Sequence, residues 1–248
     1  MKKTCLLLLL VLFINIPVSS IANSNETVNT ELFYKYKLID MEGFENNDTV
    51  TRYECLVTIM KAIGVTEDIA IGGSGILASC FGEPSERAFF DGDGIGPGVD
   101  FVKYSYKITG YIDLAFYYYI AEGEFIGNRR YFYFDRPVTA KEAAAFMVRC
   151  LKGKDLGDLN KTFEIAKEMG LIKEEDVFYT NGDDFITPDY FLIMLQRFLN
   201  QPRYKYFDED LYLHYGIDSE RSMTYLQYLQ SKQENTDNSI NGDDSNNE

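Results

Sequence analysis

A chain of 248 residues with 46% hydrophobic content can bury a sizeable core, which excludes a wholly disordered protein. Its formal charge of −15 argues against nucleic acid as a partner, because neutralising phosphates takes dense Lys and Arg. Four cysteines, one of them at the start of the N-terminal apolar run, leave Cys55, Cys80 and Cys150, an odd number that cannot complete a disulfide framework.

Lys2 and Lys3 lead into an apolar run, and Ser20-Ile21-Ala22 offers small residues before a cut. Residues 1–22 are therefore read as a secretory signal peptide cleaved after Ala22, and the protein as secreted. A retained anchor is the alternative, but the run from Cys5 to Ile16 is short for a span, and Asn15 and Pro17 interrupt it. No other stretch is apolar enough to cross a bilayer, so the chain is not read as an integral membrane protein.

Residues 31–66 contain Glu31 to Asp40 as a short helix, a turn-rich link, and a second helix opened by Thr51. Thr51 and Glu54 have the spacing of a capping box, in which each side chain bonds the other's backbone N–H. Leu56, Ile59, Met60 and Ile63 follow on one face, and Gly64 ends the run. Residues 67–110 lose this pattern and read as a Gly-rich loop or insertion, with Gly72, Gly73, Gly75, Gly92, Gly94, Gly96 and Gly98. Asp91-Gly92-Asp93-Gly94 has the opening of a calcium loop, yet Ile95 and Val102 stand where oxygen ligands would be needed. It reads as a turn, and no metal, phosphate loop or cofactor is expected.

Residues 111–153 begin with Tyr111 to Glu122, where Ile112, Ala115, Phe116, Tyr119 and Ile120 share a helical face that stops at Gly123. The aromatic content also permits a strand. Asn128 and Asp135 bracket a turn or short hairpin, after which Thr139 and Glu142 form another capping box, with Val138 and Ala143 as its hydrophobic staple. Ala144, Met147, Val148 and Leu151 line the helix that ends near Gly153. Residues 158–200 supply a helix from Asn160 to Gly170, a loop, and a helix capped by Thr187 with Pro188 at its first position. Phe191, Leu192, Leu195, Phe198 and Leu199 form its apolar face. Residues 201–230 read as a C-terminal cap finishing in a short helix after Ser222, and residues 231–248 as a disordered acidic tail.

The order helix, loop, capped helix thus occurs three times. Val50, Val138 and Ile186 precede the capping threonines, and Lys61, Arg149 and Arg197 stand ten residues after them. Agreement at both ends argues for an internal repeat in a mainly α fold; three unrelated helices with ordinary caps are the alternative.

These stretches resemble the S-layer homology repeat of bacterial exported proteins. VTRYE at Val50 to Glu54 matches that family's opening of the second helix; PVTAKEAAAFMVRCL has Ala140 in place of the motif Arg, and ITPDYFLIMLQRFL has Pro188 and Asp189 within the motif. The resemblance covers about residues 31 to 200. It implies three helix–loop–helix repeats, at 31–66, 111–153 and 158–200, in a compact pseudo-trimeric bundle. It also implies non-covalent binding of a pyruvylated cell-wall polymer in grooves between repeats, at the bacterial cell surface. Arg52 then offers its guanidinium to an anionic sugar, beside the motif positions Thr51, Glu54, Thr139 and Thr187, while Arg136 or Lys141 substitutes as a cation where the motif Arg is missing. The chain has no Trp, so Tyr residues would be the sugar platforms. The alternative partner is a protein, held by a scaffold whose sugar site has decayed.

Catalysis is not expected. No nucleophile elbow, zinc-binding His pair or Cys–His arrangement is present, and pairs such as Asp113 with Glu122, or Glu122 with Glu124, arise by chance among 39 acidic residues. His214, the single His, reads as packing beside Tyr212 and Tyr215.

Overall fold

The computed structural model describes residues 26–39, 44, 47–72, 106–127, 129–152, 156–207, 213–215 and 223–242. The proposed signal peptide, the Asp91-Gly92-Asp93-Gly94 turn, Cys5 and Cys80 lie outside the described residues. The protein is mainly helical: α1 (Thr30–Lys35), α2 (Arg52–Ala62), α3 (Tyr106–Tyr117), α4 (Ala140–Leu151), α5 (Leu159–Glu168), α6 (Pro188–Leu199) and α7 (Tyr225–Gly242), with a further helical segment at 67–72. Two antiparallel ribbons join them, β1 (Glu124–Ile126) with β2 (Arg129–Tyr131), and β3 (Lys205–Phe207) with β4 (Leu213–Tyr215). Among the described residues no helix is long and apolar enough to cross a membrane.

The three capped helices start where their sequences say. Thr51, Thr139 and Thr187 sit in extended backbone and accept from the N–H of Glu54, Glu142 and Tyr190, and both glutamates complete capping boxes. The helices before them stop by one shared device. Lys37, Tyr119 and Gly170 each take a positive φ, and the following Leu38, Ile120 and Leu171 donate back to Phe33, Ala115 and Ala166. Only Gly170 takes this conformation without strain on a Cβ; Lys37 and Tyr119 accept it because the next residue is buried at 1% exposure or less. This corrects the expected end of the helix before β1, which stops at Tyr117 rather than Gly123. Its start is also earlier, at Tyr106, inside the stretch read as loop.

What brings the capped helices together is not visible in any one segment. The Val50 N–H donates to the Ile186 carbonyl (3.1 Å), Ile186 to Val138 (3.1 Å), and Val138 back to Val50 (2.8 Å), a closed ring of three hydrogen bonds among buried residues. Each bond satisfies a backbone pair that burial would otherwise leave at a cost of about 1–3 kcal/mol. The helix N-termini are then served from a neighbouring segment. Arg52 and Tyr53 N–H donate to the carbonyls of Arg136 and Phe134, and Ala140 and Lys141 N–H to those of Asp184 and Gly182. Pro188 has no N–H to offer at the equivalent place, so α6 lacks the first of these bonds.

Packing follows the same order. Helix α2 lies against α3, α4 against α5, and α6 against α7. Ala143, Ala144 and Ala145 are fully buried, and their small side chains admit α2 and α5 close to α4. Tyr225 of α7 stacks on Phe198 (4.7 Å between ring centroids), and its hydroxyl donates to the Lys205 carbonyl at 2.6 Å. Helix α7 also runs through Gly242, well into the stretch expected to be disordered. Its first turns are packed, and the following Gln, Lys and Glu propagate a helix once it is nucleated.

Candidate functional site

Helix α2 presents Arg52 at its first position, and the packing of α2 on α4 carries that side chain into the protein. Arg52 is 4% exposed. Its Nε donates to the Phe132 carbonyl (2.8 Å), one terminal nitrogen to Glu142 Oε1, and the other to the Glu122 carbonyl (3.4 Å). The guanidinium also lies over the rings of Phe132 (4.7 Å) and Phe146 (5.6 Å). Burial draws Arg52 below the usual guanidinium range, and Glu142 opposes that shift. The residue expected to meet a sugar is therefore saturated by the protein itself.

Glu142 is the hub of this junction. Its Oε2 accepts from the Thr139 N–H (3.1 Å) within the capping box, and its Oε1 takes both Arg52 and Arg136. Arg136 is the reachable member, with its side chain 35% exposed. It also pairs with Glu124 (3.3 Å) and lies over the Tyr133 ring (5.7 Å), which stacks on Tyr131 (5.8 Å). Its Nε is buried without a hydrogen-bond partner. Next to Glu124 on β1, Phe125 and Ile126 are more than half exposed.

The other sequence-selected residues divide between caps and a surface pair. Thr51, Glu54, Thr139 and Thr187 spend their polar atoms on helix starts. Lys141 reaches Asp183 (2.8 Å), which binds α4 to the loop before α6. Glu122 and Glu124, considered for acid–base work, pair with Arg149 (3.2 Å) and Arg136. Among the described residues no group of His, Cys, Asp and Glu is arranged to hold a metal ion. Cys55 and Cys150 are buried thiols, both pushed up by burial, Cys150 to about 12.

A second ionic centre was not singled out in the sequence. Arg197, on α6, makes two hydrogen bonds to Asp176, one of them at 2.9 Å, and donates to the Leu171 carbonyl at 3.1 Å. Asp176 also accepts from the Tyr190 hydroxyl (2.9 Å) and the Lys173 N–H (2.8 Å). Its carboxyl is held below the usual range: burial alone would raise it, and Arg197, the Lys173 N–H and Tyr190 outweigh burial. Glu26 binds the remaining edge of Arg197 through Nε (2.8 Å) and also pairs with Lys173. The one signal available was the cation ten residues after each capping Thr. Arg149 and Arg197 each reach the carbonyl just past the preceding helix, at Ile120 (3.4 Å) and Leu171.

Comparison of the chain with protein families, with characterised proteins and with solved structures finds no match.

Proposed function

We propose that the protein is an exported, non-catalytic module of the S-layer homology type that attaches to an anionic polymer of the bacterial cell wall. Three helix–loop–helix repeats then make a pseudo-trimeric bundle, a reading supported by the closed Val50–Ile186–Val138 ring and the shared ending of the short helices. The contact with polymer lies at the first junction. The observation that carries it is Arg136, a solvent-reachable guanidinium over Tyr133, beside a second stacked tyrosine. A guanidinium takes a sugar-borne carboxylate through parallel hydrogen bonds, while tyrosine faces take the apolar side of a sugar ring. Arg52 acts behind it, neutralising Glu142 and fixing the corner.

Co-sedimentation of the mature protein with purified wall sacculi, before and after removal of the secondary polymer, tests this. Polymer-dependent pelleting that falls at least about tenfold in Arg136→Ala is the expected result; pelleting indifferent to polymer removal overturns the reading. A protein-binding scaffold is the second reading, favoured by the burial of Arg52 and by the exposed Phe125 and Ile126. It predicts no polymer-dependent pelleting, together with retention on walls that still carry surface protein.

A further inference from the structure

Residues 26–29 lie along α6 as a strap. The Asn29 N–H donates to Gln196 Oε1 (3.0 Å), and Gln196 Nε2 returns a bond to the Thr27 carbonyl (3.3 Å). Val28 is the strap residue that packs on the core, so polar contacts dominate its attachment. The last of these is the Glu26 carboxylate, which lies between two cations, one oxygen on Lys173 Nζ and the other on Arg197 Nε.

Arg197 has anchors other than Glu26. Arg197 is clamped on its far side by Asp176 and the Leu171 carbonyl, and its side chain is 5% exposed. Its Nε edge therefore stays turned toward the strap. Lys173, 38% exposed, has its backbone fixed by the N–H bond to Asp176, and Glu26 is its ion-pair partner among the described residues. With Asp176 answering one of the two positive charges, the other remains for a second carboxylate.

We infer that Lys173 and Arg197 form a carboxylate-binding site that the chain's own Glu26 occupies as a tethered ligand, and that an external carboxylate binds when the strap lifts. The direction of the Glu26 equilibrium agrees: burial would raise its carboxyl, yet the bonds from Lys173 and Arg197 hold it below the usual range. Tethering sets an effective concentration in the millimolar range, so a free monocarboxylate competes only well above that range, whereas a polymer carrying many carboxylates competes at lower concentration. The site stands apart from Arg136 and does not rest on the wall-binding reading, since a small acid suffices to test it.

Acetate is titrated into Glu26→Gln, with chloride at equal ionic strength as the control, and read by thermal melting. Saturable stabilisation by acetate is expected in the variant, at least about tenfold weaker in the wild type, and absent when Lys173→Met is added. A cooperatively melting Glu26→Gln that responds equally to acetate and chloride overturns the site, and equal acetate affinity in variant and wild type overturns the tethered ligand. Should Glu26→Gln fail to fold, the wild type carries the test through the Asn29 amide. Acetate must speed its hydrogen exchange relative to chloride, and unchanged exchange overturns the inference. Oligogalacturonate against oligoglutamate then separates a sugar from a peptide source, binding of either one supporting the site.

Discussion

Two buried ionic centres among the described residues are built from different distances along the chain. At the first, Arg52 and Glu142 are far apart in sequence, both buried, and Arg136 adds a second cation to the same carboxylate oxygen. At the second, Arg197 and Asp176 belong to neighbouring elements, and the distant partner is the partly exposed Glu26. The comparison teaches where each junction is vulnerable. The first fails from inside, because removing Glu142 strands a buried guanidinium, whereas at the second the loss of Glu26 leaves Arg197 still paired with Asp176.

The largest effect should follow Glu142→Ala. It leaves Arg52 buried with no carboxylate and breaks the α4 cap, and a loss of about 3–5 kcal/mol in denaturant unfolding is expected. Arg52→Ala should cost a similar amount on its own but little more when added to Glu142→Ala, and additive losses would show that the two act separately. Next come the caps. Thr51→Ala, Thr139→Ala and Thr187→Ala should each cost about 1 kcal/mol. Glu26→Gln should lie lowest, at about 0–1 kcal/mol, since its carboxylate is partly exposed and screened.

Acid unfolding sharpens the same contrast. Asp176 and Glu26 both have carboxyls lowered by the groups facing them, Arg197, Lys173 and Tyr190. Their stabilisation is fully present above the unfolded carboxylate values, about 3.9 for Asp and 4.3 for Glu, and is lost as pH falls through the lower folded values. The stability curve below about pH 4.5 should therefore flatten in Asp176→Asn combined with Glu26→Gln. A curve as steep as the wild type's would assign the acid limb to other carboxylates.

The legible parts of the fold are those set by bonds between near neighbours. The capping threonines, their glutamates and the apolar faces of α2, α4 and α6 lie where the spacing places them, because a capping box closes over three residues. The end of α3 misled because its stop is a Schellman-type turn at Tyr119, which any reading that waits for glycine will pass over. The length of α7 differs from the expected short helix because composition suggests disorder from Ser231 onward, where the residues extend a helix anchored by Tyr225 and Tyr228. The β3–β4 ribbon carries no Asn-Gly or Asp-Gly turn signal between its strands.

The candidate site was legible in its parts and not in its assignment. Arg52, Arg136 and Lys141 are recognisable as cations beside helix starts, yet sequence spacing does not say which of them faces water. Residue chemistry alone determined that the chain is helical, that three helices are capped alike, and that cations recur near their ends. Tertiary structure decided that Val50, Val138 and Ile186 close a ring, that Glu142 receives Arg52 and leaves Arg136 at the surface, and that Glu26 crosses to Arg197. The physical reason is that a cap needs only local backbone geometry, whereas burial of a charge depends on which distant segment arrives with its counter-charge.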